Sequence, residues 1–268
     1  MATQNPLAFD LAASTYDEEF THTSIGKMQR KRVYFFTQQA LANRSLRILE
    51  INCGSGEDAV WLAKQSHNII ATDASPKMIQ EVKKKVSENK LEEKISTRIC
   101  GFDDLKNSFQ SQKFDLIFSD FGGLNCVSPE ELLKLSEDFA SMLNSRGKFI
   151  AVIMGRKCLW ERIYFMMKGK ARDASRRRST ELVEARVGDS MVPTWYYSPK
   201  EFRELLAVEF NVIKVKPIGL FIPPSYLNPF FEKKKWLLQF LKQLEKWFSF
   251  SFLSNYADHY YMELIKKF

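Results

Sequence analysis

Cysteine is scarce in this chain. The four residues, Cys53, Cys100, Cys126 and Cys158, lie far apart, with no C-x-x-C pair and no pairing with the three histidines. That scatter argues against a zinc ribbon or a disulfide framework and reads as reduced thiols in a cytoplasmic protein. Long apolar runs are also missing: none approaches the ~20 residues that a bilayer-spanning helix needs. The opening Met1-Ala2-Thr3-Gln4-Asn5-Pro6 has no basic stretch followed by an apolar one, so no secretory leader is expected. There is no internal repeat and no low-complexity linker, so the 268 residues read as one large domain with insertions.

What is present in excess is positive charge, 40 Lys and Arg against 32 Asp and Glu, a formal net charge of +8. Such a balance attracts nucleic acid or an anionic membrane, although a lysine-rich enzyme surface accounts for it more simply. Lys83-Lys84-Lys85 sits between Glu81 and Glu88 and reads as the solvated face of a helix. Arg176-Arg177-Arg178 and Lys233-Lys234-Lys235 fall outside the expected core, the first in what reads as a mobile basic loop. The hydrophobic share of 45% is enough for a buried core.

The middle of the chain alternates strand-like with helix-like segments. Strands are expected at Arg47 to Ile51, Asn68 to Thr72, Ile95 to Cys100, Phe114 to Ser119 and Lys148 to Met154. Helices are expected at Ala59 to Gln65, from Pro76 to about Glu88, and from Pro129 to Leu143. The pairs Ser75-Pro76, Ser128-Pro129 and Ser198-Pro199 are helix-start signals, a capping hydroxyl followed by a residue whose missing N–H costs nothing there. The alternation predicts an α/β protein with a parallel, doubly wound sheet. Beyond Gly155 the pattern loosens to a helix over Leu159 to Gly169, and then two strands, Glu181 to Val187 and Met191 to Tyr197, joined at Gly188-Asp189. A helix through Leu206 and strands at Phe210 to Val215 and Tyr260 to Ile265 follow. Phe231 to Phe248 reads as one basic amphipathic helix with Leu237, Leu241, Leu244 and Phe248 on its apolar side.

The most informative segment is Ile48-Leu49-Glu50-Ile51-Asn52-Cys53-Gly54-Ser55-Gly56, an apolar strand running into a glycine turn and then a helix. Glycines let the backbone approach a ligand, and the helix start offers unpaired N–H groups. Gly54-x-Gly56-x-x-Ala59 fits a dinucleotide fingerprint. Asp73 follows at the spacing of about 20 residues at which a carboxylate reaches ribose hydroxyls. Glu50 fits a dinucleotide less well, since it would repel a pyrophosphate, yet it suits a cationic, amino-acid-bearing ligand.

Four segments in order carry a family resemblance: Glu50-x-Asn52-Cys53-Gly54-Ser55-Gly56, Thr72-Asp73-Ala74-Ser75-Pro76-Lys77-Met78, Phe114 to Asp120, and Asn144 to Phe149. Together they resemble the motifs of class I S-adenosylmethionine-dependent methyltransferases. The segments Phe9 to Asp17 and Trp195 to Pro199 are similar to the cap and late segments of small-molecule members. The resemblance implies a Rossmann-like, mostly parallel seven-stranded sheet carrying lid insertions at about 156–197 and 221–256, with an N-terminal helical cap over residues 1–45.

The resemblance also implies roles. Gly54 and Gly56 would pass beneath the methionine part of S-adenosylmethionine, with Asn52 in place of the usual first glycine and Glu50 near the ammonium group. Asp73 would hold the ribose, Ala74 and Met78 would flank the adenine, and Phe102 would lie beside it. Gly101 stands where many relatives carry an adenine-binding aspartate, so that contact is either missing or supplied by Asp103. Ser119 and Phe121 would border the methyl group, and Tyr16 and Arg30 would close over the cofactor's carboxylate. No catalytic residue is evident; Asp120 and His22 are the weak candidates for a base, and His259 reads as structural. No metal site is expected.

The aromatic insertions point to a small, lipophilic or aromatic acceptor. Helix 231–248 is open to three readings: a lid, a peripheral membrane contact, or a dimer contact. Nucleic acid is disfavoured, because Ser119-Asp120-Phe121-Gly122 lacks the Asn/Asp-Pro-Pro-aromatic string of base methyltransferases and no RNA-binding module is recognisable. A nicotinamide-dependent oxidoreductase and a non-catalytic cofactor-binding module remain as alternatives.

Overall fold

Arg47–Ile51 is buried at every position after its first and forms β1, at the centre of the sheet. The structure is a computed structural model describing residues 6–41, 43–188 and 190–267. Strands β2 (Asn68–Asp73), β3 (Ile95–Ile99), β4 (Phe114–Ser119) and β5 (Leu143–Met154) join β1 in parallel. β6 (Val183–Val187) and β7 (Ser190–Thr194) make a separate antiparallel ribbon. β9 (His259–Lys266) inserts antiparallel between β5 and β8 (Phe210–Ile218). The seven-stranded order is β3-β2-β1-β4-β5-β9-β8, the mostly parallel doubly wound sheet expected from the sequence.

Helices α1 (Pro6–Ala12) and α2 (Ser24–Ala40) precede the sheet. α3 (Glu57–Lys64), α4 (Pro76–Glu88), α5 (Leu105–Phe109) and α6 (Pro129–Met142) alternate with its strands. α7 (Leu159–Met167), α8 (Ala171–Ser175), α9 (Pro199–Leu205), α10 (Asn228–Glu232) and α11 (Lys235–Trp247) follow. Because both faces of the sheet are covered, its strands read as nearly continuous apolar runs. Ile48, Leu116 and Phe118 pack with α2, α3 and α4 on one face. Leu49, Ile51 and Ile117 pack with α5, α6 and α9 on the other. All three Ser-Pro signals start helices: Ser75 accepts the Met78 N–H at 3.1 Å, and Ser128 and Ser198 form capping boxes with Glu131 and Glu201.

Several boundaries differ from expectation, each for a local reason. β5 begins at Leu143, pairs with Phe114, and then slips register through a bulge where Arg146 takes φ +63°. β8 continues past Val215 to Ile218, which is fully buried opposite His259. In the predicted Gly188-Asp189 turn, Asp189 lies outside the described residues, as do residues 1–5 of the expected cap.

The expected mobile basic loop is not one. Arg176–Arg178 forms a 3-10 turn in which Arg177 is buried, its Nε 2.8 Å from Glu161 Oε2 and its Nη2 2.9 Å from Asp258 Oδ1. Arg176 Nε holds the other Glu161 oxygen at 2.7 Å. A run of three arginines read as solvated because its carboxylate partners lie on α7 and at the start of β9.

The single helix expected over 231–248 is two, α10 and α11, broken at Lys233-Lys234. Its leucine side faces inward: Leu237, Leu238 and Leu241 join Ile25, Ile222 and Phe231 in a small core against α2. Phe248, placed on that side by spacing, is exposed. The polar-looking Glu245 is buried. Its Oε1 accepts the N–H groups of Gly219 and Leu220 at 2.8 and 3.3 Å, and its Oε2 those of Phe221 and Ile222 at 2.7 and 3.2 Å.

Candidate active site

β1 and β4 are neighbours whose following helices leave in opposite directions, so a crevice opens beyond their C-terminal ends. The glycine turn after β1 lines it. Gly54 and Gly56 take φ +51° and +79°, which a side chain would strain. A Cβ on Gly56 would also stand 2.9 Å from both Val82 methyls, so this glycine lets α3 pack on α4.

Asn52 explains how the turn dispenses with its first glycine. It takes φ +50°, a conformation asparagine tolerates, and its side chain bridges to the turn after β4. Nδ2 donates to the Asp120 carbonyl at 3.0 Å, and Oδ1 accepts from Ser119 Oγ at 2.6 Å. A Cβ on Gly123 would lie 2.2 Å from Asn52 Cγ, so the asparagine occupies the space that Gly123 leaves free.

Asp73 ends β2 and joins two loops. Its Oδ2 accepts the Gly54 N–H and its Oδ1 the Ser75 N–H, both at 2.9 Å. Burial nevertheless pushes its pKa up to about 6, against those two hydrogen bonds.

A buried charge cluster lies beside the turn. Glu50 is 1% exposed, and its Oε2 has no hydrogen-bond partner. Burial, then the neighbouring Asp58, raises its pKa well above the usual carboxylate range, while Arg30 opposes the shift. Arg30 donates to Asp58 Oδ2 and stands 3.9 Å from Asp120 Oδ2. Its guanidinium lies 4.8 Å from the Phe121 ring centre and 5.6 Å from that of Phe20. Asp120 Oδ1 accepts the Phe121 N–H at 2.8 Å, while burial and Asp58 raise its pKa as well. Phe121 has φ +43°, a strained conformation for an aromatic residue and of the kind that collects at functional sites. Its ring meets Phe20 edge-on at 4.8 Å and His259 at 5.4 Å.

The N-terminal elements are fastened over this turn. The Tyr16 ring approaches Gly54, whose Cβ position is 3.9 Å from Cε1, and burial pushes the phenol up to about 12. One turn of π-helix, Asp17–Thr21, follows. Asp17 Oδ1 accepts from Ser55 Oγ at 2.5 Å, and its Oδ2 pairs with Lys85 Nζ at 2.6 Å. Asp10 of α1 accepts from Ser75 Oγ and from the Lys77 N–H at 3.1 Å. Between these parts lies a small cleft bounded by Tyr16, Arg30, the Asn52–Ser55 turn, Asp58 and Phe121.

The structure therefore brings together Tyr16, Arg30, Glu50, Asn52, Gly54, Asp120 and Phe121, with Gly56 and Ser119 supporting the turns. Asp73 and the half-buried Ala74 lie on the β2 side. Met78 and Phe102 are buried, Phe102 within the main core, and Asp103 is exposed on the 3-10 turn Phe102–Asp104. His22 is exposed and does not line the cleft. Sequence reasoning missed Asp58, Phe20 and the Asp17–Ser55–Lys85 latch. Asp58 had a visible signal, an acid in the first turn of α3, but one that reads as a complement to the helix dipole. No group of metal-ligating side chains is present among the described residues.

Residues 48–147 match the family model of a methyltransferase domain. Solved structures share the fold. The CcbJ methyltransferase of Streptomyces caelestis aligns over 97% of this chain and 98% of its own at 14% identity, with a TM-score of 0.62. An S-adenosylmethionine-dependent methyltransferase of Methanosarcina mazei aligns over 86% and 96% at 16% identity, TM-score 0.59. The magnesium protoporphyrin IX methyltransferase of Synechocystis PCC 6803, solved with bound S-adenosylhomocysteine, aligns over 90% and 82% at 14% identity, TM-score 0.54. At these identities the likeness is one of fold, and no curated protein matches the sequence. Residues 48–147 thus match a methyltransferase domain, and the seven-stranded sheet that carries them has the fold of solved S-adenosylmethionine-dependent methyltransferases.

Proposed function

We propose that this protein transfers a methyl group from S-adenosylmethionine, in line and without a covalent enzyme intermediate, to a small lipophilic or aromatic acceptor. The observation that carries the reading is the buried, unpartnered Glu50 Oε2 beside the left-handed Gly54 turn. An orphaned carboxylate costs folding free energy unless a ligand cation uses it, and the methionine ammonium is such a cation. The rest of the site fits the same group. Asp73 keeps lone pairs for ribose hydroxyls, and the Gly54 turn leaves its backbone open to a close neighbour.

When bound, the cofactor supplies an electrophilic methyl group on a sulfonium. The chain's own contribution is orientation and exclusion of water. Tyr16 and the Asp17–Lys85 latch would hold the cap closed, Asn52 would align the turns after β1 and β4, and Phe20 and Phe121 would keep the reacting end dry. Asp120, engaged with Arg30 and the Phe121 N–H, receives a positioning role in this reading. Phe102 and Met78, buried as they are, would back the adenine region from beneath.

The acceptor class rests on how the insertions pack. Val192 of the β6–β7 ribbon meets Ala8 of α1 and Cys126, while Ile222, Phe231 and Leu238 meet Ile25 of α2. Both insertions thus lean on the N-terminal elements and would enclose an acceptor with apolar walls. Incubation with methyl-tritiated S-adenosylmethionine and a panel of lipophilic and aromatic acceptors tests this. Label in an extractable small product is expected. Label confined to added RNA, DNA or protein would overturn the acceptor class.

A further inference from the structure

α11 carries a second apolar face that the fold leaves uncovered. Its leucines and Glu245 point inward, and on the opposite side Trp236, Phe240 and Trp247 succeed one another at helical spacing, 74%, 54% and 69% exposed. The following turn adds Phe250 and Phe252, whose rings stack 5.8 Å apart; Phe252 is 72% exposed. Such a row of large aromatic side chains in water is unusual for a helix whose other face already fills a core. The helix is held in this orientation by the four backbone N–H groups on Glu245.

Charge indicates what the row faces. Lys233, Lys234, Lys235 and Lys246 are exposed beside it. From Lys233 to Tyr256 the sequence has one carboxylate, Glu245, and it is buried. A second copy of this surface would bring lysines against lysines with no acid to meet them. An anionic lipid surface supplies the missing charge and an apolar layer for the rings, and tryptophan flanked by lysine is the composition that lies at such an interface.

We propose that α11 and the turn after it dock the protein on anionic membrane, with Trp236, Phe240 and Trp247 entering the headgroup region and the lysines meeting lipid phosphates. This surface is separate from the cofactor cleft, and its test needs neither cofactor nor acceptor.

The test is co-sedimentation of the full chain with phosphatidylserine-containing vesicles and with pure phosphatidylcholine vesicles, read beside tryptophan quenching by brominated lipid. Expected are pelleting with the anionic vesicles, weakening by salt, and quenching of tryptophan. The variant W236S/F240S/W247S should lose at least about tenfold in affinity, and K233E/K235E roughly fivefold or more per charge removed, from the worth of one lysine near such a surface. Both should keep the wild-type melting temperature, since the substituted side chains are exposed. The proposal is overturned if the wild-type protein stays in the supernatant with anionic vesicles, if it binds neutral vesicles equally well, or if the serine variant binds as wild type does. A concentration-dependent dimer that the serine variant abolishes, with no vesicle binding, would assign the face to a second copy instead.

Discussion

Glu50→Gln is the perturbation that separates the folding role of the buried carboxylate from its proposed binding role. Without ligand, Glu50 is 1% exposed with one oxygen unpartnered, and it lies within the field of Asp58 and Asp120. Burial raises its pKa above the ordinary 4.5, so the folded state binds its proton more tightly than the unfolded state does. The cost of ionising it is therefore absent at acid pH and grows as pH rises above about 4.5. Relief of an unsatisfied buried polar group is worth about 1–3 kcal/mol. For a domain of this size each kcal/mol moves the melting temperature by roughly 2–4 °C. The ligand-free variant should melt higher than wild type at pH 8, with the gain shrinking toward pH 5. S-adenosylhomocysteine should bind the variant less tightly, because a charge-assisted hydrogen bond worth about 1.5–3 kcal/mol is lost, roughly ten- to hundredfold in affinity. Scanning calorimetry at the two pH values, followed by ligand titration, measures both. A variant that melts lower at both pH values, or binds S-adenosylhomocysteine as wild type does, would refute the reasoning.

Other consequences are as direct. Gly123→Ala puts a Cβ 2.2 Å from Asn52 Cγ and should cost about 1–3 kcal/mol in urea unfolding, part of it recovered by adding Asn52→Gly. Additive effects of the two changes would contradict the packing described. Asp73 has its pKa raised to about 6, so S-adenosylhomocysteine affinity should fall as pH drops below 6, and Asp73→Asn should bind weakly with no such dependence. Arg177→Met leaves the buried Asp258 without its arginine and Glu161 with Arg176 alone, and should destabilise by about 3–5 kcal/mol, read as a lower melting temperature. Burial raises the Asp258 pKa, but His259 and Arg177 outweigh it and hold the carboxyl below its usual 3.8. The stability this group confers should therefore be present above pH 4 and be lost as pH falls below that range in an acid titration.

The parallel strands and their helices were legible because each signal is local. Ser75-Pro76, Ser128-Pro129 and Ser198-Pro199 carry both the cap and the first helical residue, and each starts a helix as expected. The glycine turn was legible because φ above zero demands particular residues. The partners of the charges were not. Asp58 meets an arginine 28 residues earlier, and Arg177 meets an aspartate 81 residues later, separations to which no local pattern points. Periodicity marked the 231–248 segment as amphipathic, yet it counted leucines. The exposed row of Trp236, Phe240 and Trp247 opposite them follows from Glu245, whose four backbone N–H partners turn the leucines inward.

The central claim is that the cleft bounded by Tyr16, Arg30, the Asn52–Ser55 turn and Phe121, with Glu50 and Asp73 beside it, holds an adenosyl amino-acid ligand. Calorimetric titration of the purified chain with S-adenosylhomocysteine, with NAD and NADP in parallel, tests it most directly. The account predicts micromolar binding of S-adenosylhomocysteine, weakened below pH 6, and no heat from either nicotinamide cofactor. Binding of NAD or NADP in its place, or of none of the three, would contradict it.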